Sequence, residues 1–176
     1  MTKLKRLFLI LFVIVPSVGC DQITKSVAYE NLRGTMPHTF FGNMFRLEYA
    51  ENPGAFLSLG SNFSDEFRFW LLTVLVGVFL TCVLLYAVFN SEMKRLGTLG
   101  IAMVLGGGFG NLIDRMYRPG GHVIDFMNMG IGNLRTGIFN VADVMIMAGI
   151  VLLIMSSIEI LREESHKEQP IQKLEL

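Results

Sequence analysis

The chain has 176 residues, of which 52% are hydrophobic and 17% are charged, and its formal net charge is zero. The apolar composition indicates an integral membrane protein, and the length fits one membrane domain, placed here at residues 1–160. A chain with no excess of positive charge gives no sign of a nucleic-acid partner. The 3 histidines and 2 cysteines show no metal-ligand spacing, so we expect no metal and no other cofactor.

Four apolar segments predict membrane-spanning helices, at about residues 7–29, 69–89, 96–116 and 138–158. Each is long enough to cross a hydrocarbon layer of about 30 Å. In the third, small residues recur every four positions and predict close helix packing, at Ala102, Gly106 and Gly110. We therefore expect an all-α bundle of four transmembrane helices.

Basic residues set the expected orientation of this bundle. Lys3, Lys5 and Arg6 precede the first span, and Lys94 and Arg95 lie between the second and third. Short loops rich in lysine and arginine stay in the cytoplasm. We therefore place both termini in the cytoplasm, with a polar cytoplasmic tail at residues 161–176.

The first span allows a second interpretation. A basic start and an apolar run before Cys20 are also typical of a cleaved secretory signal that ends at a lipid-modified cysteine. However, Ser17 stands where such signals usually carry leucine. Asp21 and Lys25 are four residues apart, so they share a helix face and can pair. A retained helix with an ion pair near the membrane surface is the better interpretation.

Residues 31–66 do not have a helical pattern. Phe45, Leu47 and Tyr49 alternate with polar residues, which is the pattern of a half-buried strand. A proline–glycine turn at residues 52–54 follows, and residues 55–59 are expected to form the returning strand. We predict a small extracytoplasmic β module at about residues 31–66, with aromatic residues near the lipid surface.

Polar residues occur in the third and fourth spans, where a membrane helix tolerates them poorly. Asn111, Asp114 and Arg115 have i,i+3 and i,i+4 spacing, and Asn140 and Asp143 share one helix face. In the expected orientation, the following polar residues collect at the extracytoplasmic end: Asp21, Lys25, Asn111, Asp114, Arg115, Asp125, Asn140 and Asp143. Such a cluster is a candidate functional site.

Two carboxylates in a site of low dielectric share one proton, so one can activate water while the other polarises a carbonyl group. Asp143 could pair in this way with Asp114 or with Asp125. Asp114 lies beside Asn111 and Arg115, which favours a structural role, whereas Asp125 follows two apolar residues. The residues alone therefore indicate an aspartyl hydrolase. A small proton- or ion-coupled transporter and a non-catalytic scaffold remain alternatives.

Five segments, at residues 21–25, 52–56, 107–115, 123–125 and 139–143, resemble those of bacterial lipoprotein signal peptidases in sequence and in order. The resemblance extends from the first helix to the start of the fourth. It implies a four-helix membrane aspartyl endopeptidase of the inner membrane, with an extracytoplasmic β cradle. Such an enzyme cleaves diacylglyceryl-modified prolipoproteins just before the lipidated cysteine.

Carried over by position, the resemblance implies that Asp125 and Asp143 form the catalytic pair. The residues expected to bind substrate or support the site are Asp21, Lys25, Asn52, Gly54, Gly107, Asn111, Asp114, Arg115 and Asn140. The implied partners are diacylglyceryl-prolipoproteins and membrane lipid, and we expect a monomer without cofactors.

Overall fold

The computed structural model describes residues 1–55, 59–90 and 92–172, with side chains described as far as residue 163. Four long helices dominate it, namely α1 (Lys3–Leu32), α2 (Asp65–Phe89), α3 (Arg95–Tyr117) and α4 (Val141–Gln172). All four are long and apolar enough to cross a membrane. Beside them lies one small antiparallel sheet. The predicted fold class, a four-helix membrane bundle with a small β module, is confirmed.

The ends of the fourth helix differ from the prediction. α4 begins at Val141 rather than at residue 138, because Asn140 occupies the capping position before it. It continues to Gln172, so most of the expected polar tail at residues 161–176 is helical. Glutamate, lysine and glutamine are good helix formers, so the loss of apolar residues ends the span without ending the helix.

α2 changes its hydrogen-bonding pattern near its start. Its first turn, Asp65–Arg68, is capped by the Ser64 hydroxyl group, which accepts a hydrogen bond from the backbone N–H of Phe67 at 3.3 Å. Residues Phe69–Leu75 then form a π-helix, and an α-helix follows from Val76 to Phe89. Segments of π-helix are rare and are frequent at functional sites.

The sheet joins two distant parts of the chain. Its strands are β1 (His38–Phe40), β2 (Phe45–Asn52), β3 (Val123–Ile131) and β4 (Leu134–Arg135), in that spatial order and all antiparallel. We call the end of the bundle beside this sheet the sheet end.

The expected hairpin after β2 is not the pairing that the structure shows. The partners of β2 are β1 and β3, and no strand was predicted for the residues that form β3. Of the expected returning strand at 55–59, residues 56–58 lie outside the described part of the chain. The β module therefore extends beyond residues 31–66 to include β3 and β4.

α3 is the central helix and packs against the other three. The predicted small-residue face lies against α1, since a Cβ atom at Gly110 would lie 2.6 Å from Oδ2 of Asp21. A neighbouring face meets α4, and a Cβ atom at Gly107 would lie 2.2 Å from the carbonyl oxygen of Ala142. These glycines let the helix backbones approach closely at the depth where the polar residues lie.

An apolar cluster holds the sheet on the bundle. Ala28 and Leu32 of α1 pack against Ile124 and Phe126 of β3, and all four are buried. The register places Asp125, between these two β3 residues, opposite Ala50 of β2. Since side chains alternate along a strand, burying Ile124 and Phe126 against α1 directs Asp125 to the opposite face of the sheet.

Candidate active site

Asp125 lies on β3 and is buried, with 4% of its surface exposed. The side-chain amide of Asn52, at the end of β2, donates a hydrogen bond to its Oδ2 at 3.0 Å. The side-chain amide of Asn140 donates to its Oδ1 at 2.7 Å. Both oxygens of the carboxyl group are therefore held by neutral donors.

Asp143 is the third residue of α4 and takes part in a capping box with Asn140. The Asn140 backbone N–H donates to Oδ2 of Asp143 at 3.0 Å, and the Asp143 backbone N–H donates to Oδ1 of Asn140 at 3.0 Å. Asn111 of α3 donates its side-chain N–H to Oδ1 of Asp143 at 3.1 Å. These bonds fix the orientation of the Asp143 carboxyl group.

The two carboxyl groups line one small cavity of about 30 Å³ together with Asn52, Asn111 and Arg115. A cavity must offer at least about 10–15 Å³ and polar partners to hold one water molecule. The cavity therefore has room for at least one water molecule beside the two carboxyl groups.

Burial is the main reason that the pKa of Asp125 is raised to about 6. The hydrogen bond from Asn52 opposes this shift, and the negative charge of Asp143 reinforces it. A carboxyl group with a pKa near neutrality can hold or release a proton under physiological conditions. The site thus contains one acid poised for proton transfer beside a second carboxyl group.

Asp114 lies in a different environment, among cations. Lys25 Nζ lies 2.9 Å from its Oδ2 and Arg118 Nε lies 3.1 Å from its Oδ1. Gln22 and the backbone N–H of Ile124 also donate to this carboxylate, each at 3.3 Å. Position along the chain predicts Arg115 as the neighbouring cation, but Lys25 and Arg118 lie there instead. Asp114 is therefore a buried anion that ties α1, α3 and β3 together.

Lys25 connects this ion cluster to the carboxyl pair. Its Nζ lies 2.8 Å from Asp21 Oδ2, 2.9 Å from Asp114 Oδ2 and 2.8 Å from Asn111 Oδ1, so each of its three protons has an acceptor. Asp21 in turn accepts a hydrogen bond from the backbone N–H of Ala142 at 2.9 Å. The expected pair of Asp21 and Lys25 is present, and it supports the first turn of α4.

Arg115 holds the chain that follows β2. Its guanidinium group donates to the carbonyl oxygens of Gly54 at 2.6 Å and Gly121 at 3.2 Å. The Gly54 backbone N–H donates to Oδ1 of Asn52 at 3.0 Å, which orients the asparagine that contacts Asp125. Gly107 stands apart from the cavity and supports the site through the close contact of α3 with α4.

Two residues that contribute to the site, Gln22 and Arg118, were not predicted from the sequence. Gln22 donates hydrogen bonds to Asp21 at 3.2 Å, to Asp114 at 3.3 Å and to the carbonyl oxygen of Gly110 at 3.0 Å. Arg118 lies four residues after Asp114, an i,i+4 spacing that could have revealed the pair. The contacts of Gln22 cross between helices, so local spacing gave no signal for them.

Comparison with known proteins decides the family. The family described as "Signal peptidase (SPase) II" matches residues 11–159 of this chain. The chain belongs to the signal peptidase II family. It is therefore a peptidase, and with four spanning helices it is a multi-pass bacterial membrane protein.

Individual members of the signal peptidase II family agree with this assignment. The lipoprotein signal peptidase of Rhodococcus jostii (strain RHA1) is 38% identical over 153 residues, which cover 84% of this chain and 71% of that protein. The lipoprotein signal peptidase of Borreliella afzelii (strain PKo) is 30% identical over 160 residues, covering 87% and 91% of the two chains. A solved bacterial membrane enzyme has the same fold, with a TM-score of 0.71, 22% identity, and coverage of 93% of this chain and 91% of its own.

In this signal peptidase II structure, an apolar groove leads from the carboxyl pair into the bundle. The groove has a volume of about 400 Å³ and lies between α2, α3 and α4. Its apolar walls are formed by Leu72, Val76, Leu112, Ile146, Met147 and Ile150. Asn111, Arg115 and Asp143 also border it. An extended apolar group in the groove would therefore end beside the candidate catalytic residues.

Proposed function

We propose that this chain is a membrane aspartyl endopeptidase that removes signal peptides from diacylglyceryl-modified prolipoproteins, cutting before the lipidated cysteine. The observation that carries the proposal is the pair of Asp125 and Asp143, bridged by Asn140 around a cavity of about 30 Å³. The names of the relatives supply the substrate class.

The proposed reaction uses one proton shared by the two carboxyl groups. Asp143 lies in the first turn of α4, where the Asn140 backbone N–H and the Asn111 side chain donate hydrogen bonds to its two oxygens. Asp125, with its raised pKa, is the better holder of the proton. Asp143 therefore acts as the base and Asp125 as the acid in the first step.

In that step, Asp143 removes a proton from a water molecule, and the water oxygen bonds to the carbon of the scissile carbonyl group. Asp125 gives its proton to the carbonyl oxygen, which yields a neutral tetrahedral gem-diol. Asp143 then donates the proton it gained to the peptide nitrogen, while Asp125 recovers a proton from a gem-diol hydroxyl group. The C–N bond breaks and leaves a carboxylic acid and an amine.

The groove between α2, α3 and α4 suits such a substrate. A signal peptide has an apolar segment of about 7–15 residues, and diacylglycerol is equally apolar. Either can lie in the groove while the bond to be cut reaches the carboxyl pair at the sheet end. We place this end at the extracytoplasmic face of the inner membrane, because Lys3, Lys5, Lys94 and Arg95 lie at the opposite end.

The buried charges argue against the alternative, a small proton- or ion-coupled transporter. Asp21, Lys25, Asp114 and Asp125 are buried at the sheet end, and Arg6 is buried near the other end of α1. Residues 7–20 of α1, which separate these two regions, include no charged residue. A relay across the membrane would need ionisable groups along that distance.

The test is cleavage by the purified protein. We expect release of the signal peptide from a diacylglyceryl-modified prolipoprotein, with a new N-terminus at the lipidated cysteine, identified by mass spectrometry. The matched controls are the same precursor without the lipid and the Asp125→Asn variant. Cleavage at another bond, or equal cleavage by the variant, would contradict the proposal.

A further inference from the structure

A second polar cavity lies at the sheet end and is not used in the reaction described above. It has a volume of about 400 Å³ and lies between the first turns of α2, the last turn of α3 and the short 3₁₀ turn Pro119–Gly121. Three arginines line it, namely Arg68, Arg115 and Arg118. Because Arg115 also lines the small cavity of the carboxyl pair, the two cavities are neighbours.

Within the described part of the chain, Arg115 forms no direct ion pair, and the charges of Asp125, Asp114 and Asp143 act on it only from a longer distance. Its guanidinium group donates to the carbonyl oxygens of Gly54 and Gly121. Among the described residues, no carboxylate oxygen lies within 4.0 Å of its nitrogen atoms. A guanidinium group has five N–H donors, so it retains the capacity to bind an anion.

Arg118 also lines the cavity, but it has an ion pair. Its Nε binds Asp114 at 3.1 Å, and Asp114 is already paired with Lys25. The side chain of Arg118 is 26% exposed and lines the cavity, and its carbon Cζ lies 5.9 Å from the centre of the Tyr29 ring. Among the described residues, its two terminal NH₂ groups form no hydrogen bond, so they remain as donors. Two partly buried guanidinium groups, on Arg115 and Arg118, therefore share one cavity.

The acidic residues of the lining do not cancel this charge. Asp65 is paired with Arg68, and Glu66 is exposed at the start of α2. An exposed carboxylate is screened by solvent, whereas a partly buried cation acts through a lower dielectric. The cavity is therefore suited to an anion.

The apolar residues of the lining indicate which anion. Phe69 and Met116 also line the cavity, and they are 50% and 58% exposed. Both lie near the ends of spanning helices, where the membrane surface lies. Trp70, next to Phe69, is 59% exposed, and exposed aromatic residues at span ends are typical of the interface with lipid. A free phosphate ion would make no use of these apolar side chains.

We propose that this cavity binds the headgroup phosphate of a membrane phospholipid. Arg115 and Arg118 donate hydrogen bonds to the phosphate oxygens, a contact for which the fork of a guanidinium group is well shaped. The acyl chains then pass over Phe69 and Met116 into the membrane. Basic pockets between spanning helices bind lipid headgroups in this way.

The test is phospholipid binding by the full chain in detergent, measured by native mass spectrometry with dioctanoyl-phosphatidylglycerol. Met116→Glu places a negative charge at the mouth of the cavity, and Met116→Gln is its neutral match. We expect one bound phospholipid, held at least about tenfold more weakly by Met116→Glu than by Met116→Gln, since about 1.4 kcal/mol of repulsion gives that factor. Arg118→Gln should also weaken binding. Met129→Glu, at a 50% exposed methionine of β3, should not.

Two further ligands separate the possible sources of binding. Dioctanoylglycerol has the same chains without the phosphate, so equal retention of it would overturn the proposal. If inorganic phosphate binds the wild type as tightly as the phospholipid does, the cavity is a site for free anions instead. Equal lipid binding by Met116→Glu and Met116→Gln would also overturn it. The measurement needs no peptide substrate, so its result is independent of the proposed peptidase activity.

Discussion

Asn140 and Asp143 hold each other through a reciprocal pair of 3.0 Å hydrogen bonds between side chain and backbone. The same asparagine donates to Asp125 at 2.7 Å and to Asn111 at 3.1 Å. The start of α4 therefore sets the position of one carboxyl group and of the donor to the other. The geometry of the pair depends on the helix cap as well as on the two acids.

The first prediction concerns this pair. We expect Asp125→Asn and Asp143→Asn each to lower the turnover of a lipidated prolipoprotein by at least ~10²–10⁴, because each removes a positioned acid or base. Substrate binding should largely survive, since an asparagine keeps the size of the side chain. Single-turnover cleavage and substrate binding, measured on the same preparations, check both parts. A variant that is folded and cleaves at the wild-type rate would contradict the assignment.

The second prediction separates Asp114 from the pair. Asp114→Asn leaves Lys25 and Arg118 without one of their acceptors in a buried site, so we expect a lower folded yield and a lower unfolding temperature. Breaking a buried ion pair typically costs about 3–5 kcal/mol. Turnover per folded molecule should remain measurable.

Two measurements test this expectation: the thermal unfolding temperature, and the turnover divided by the amount of folded protein. The matched control is Arg33→Gln, which removes a cation from a pair that is largely exposed and lies 3.9 Å from Glu51. If Asp114→Asn were stable and inactive while Asp125→Asn still cut, the partner of Asp143 would be Asp114.

The third prediction is a bell-shaped dependence of the turnover on pH. The reaction needs one proton on the pair, and the pKa of Asp125 is raised to about 6. Turnover should fall as the pH rises above this value and the shared proton is lost. It should fall again in acid, where both carboxyl groups are protonated. A rate that stays constant from acidic to strongly alkaline pH, with the fold intact, would contradict the mechanism.

The same pKa has a consequence for stability, which is the fourth prediction. Asp125 has a folded pKa above its ordinary value of 3.8, so its stabilising contribution is complete below about pH 4 and is lost as the pH rises through about 6. The Asp125→Asn variant does not lose stability in this way, because asparagine has no carboxyl group to titrate. We expect the unfolding temperature of the wild type to fall, relative to that of the variant, between pH 4 and pH 7. Parallel pH dependences of the two proteins would contradict this expectation.

The fifth prediction concerns the contact between α3 and α4. Gly107→Ala would place a Cβ atom 2.2 Å from the carbonyl oxygen of Ala142, next to Asp143, so the helices must move apart. We expect a loss of about 1–3 kcal/mol in the free energy of unfolding, with reduced turnover. Gly19→Ala is the matched control, because no atom lies within 4 Å of the Cβ position there. Equal unfolding curves and equal turnover for the two variants would show that the close contact at Gly107 contributes neither to stability nor to activity.

Sequence alone was sufficient for the features that depend on local pattern. Apolar runs of sufficient length predict four long helices, and the structure contains four helices long and apolar enough to cross a membrane. The spacing of Asp21 and Lys25 predicts their pairing, because residues four apart share a helix face. The recurrence of Ala102, Gly106 and Gly110 likewise predicts a close helix contact. Each of these features is fixed by neighbours along the chain.

The tertiary structure decided the contacts between distant residues. It paired β2 with β3 and so brought Asp125, separated from Asn52 by 73 positions, within hydrogen-bonding distance of it. It also gave Asp114 the cations Lys25 and Arg118, where the order of residues favoured Arg115. Strand register and the choice among several nearby cations depend on how whole helices pack. Local periodicity contains no information about that packing.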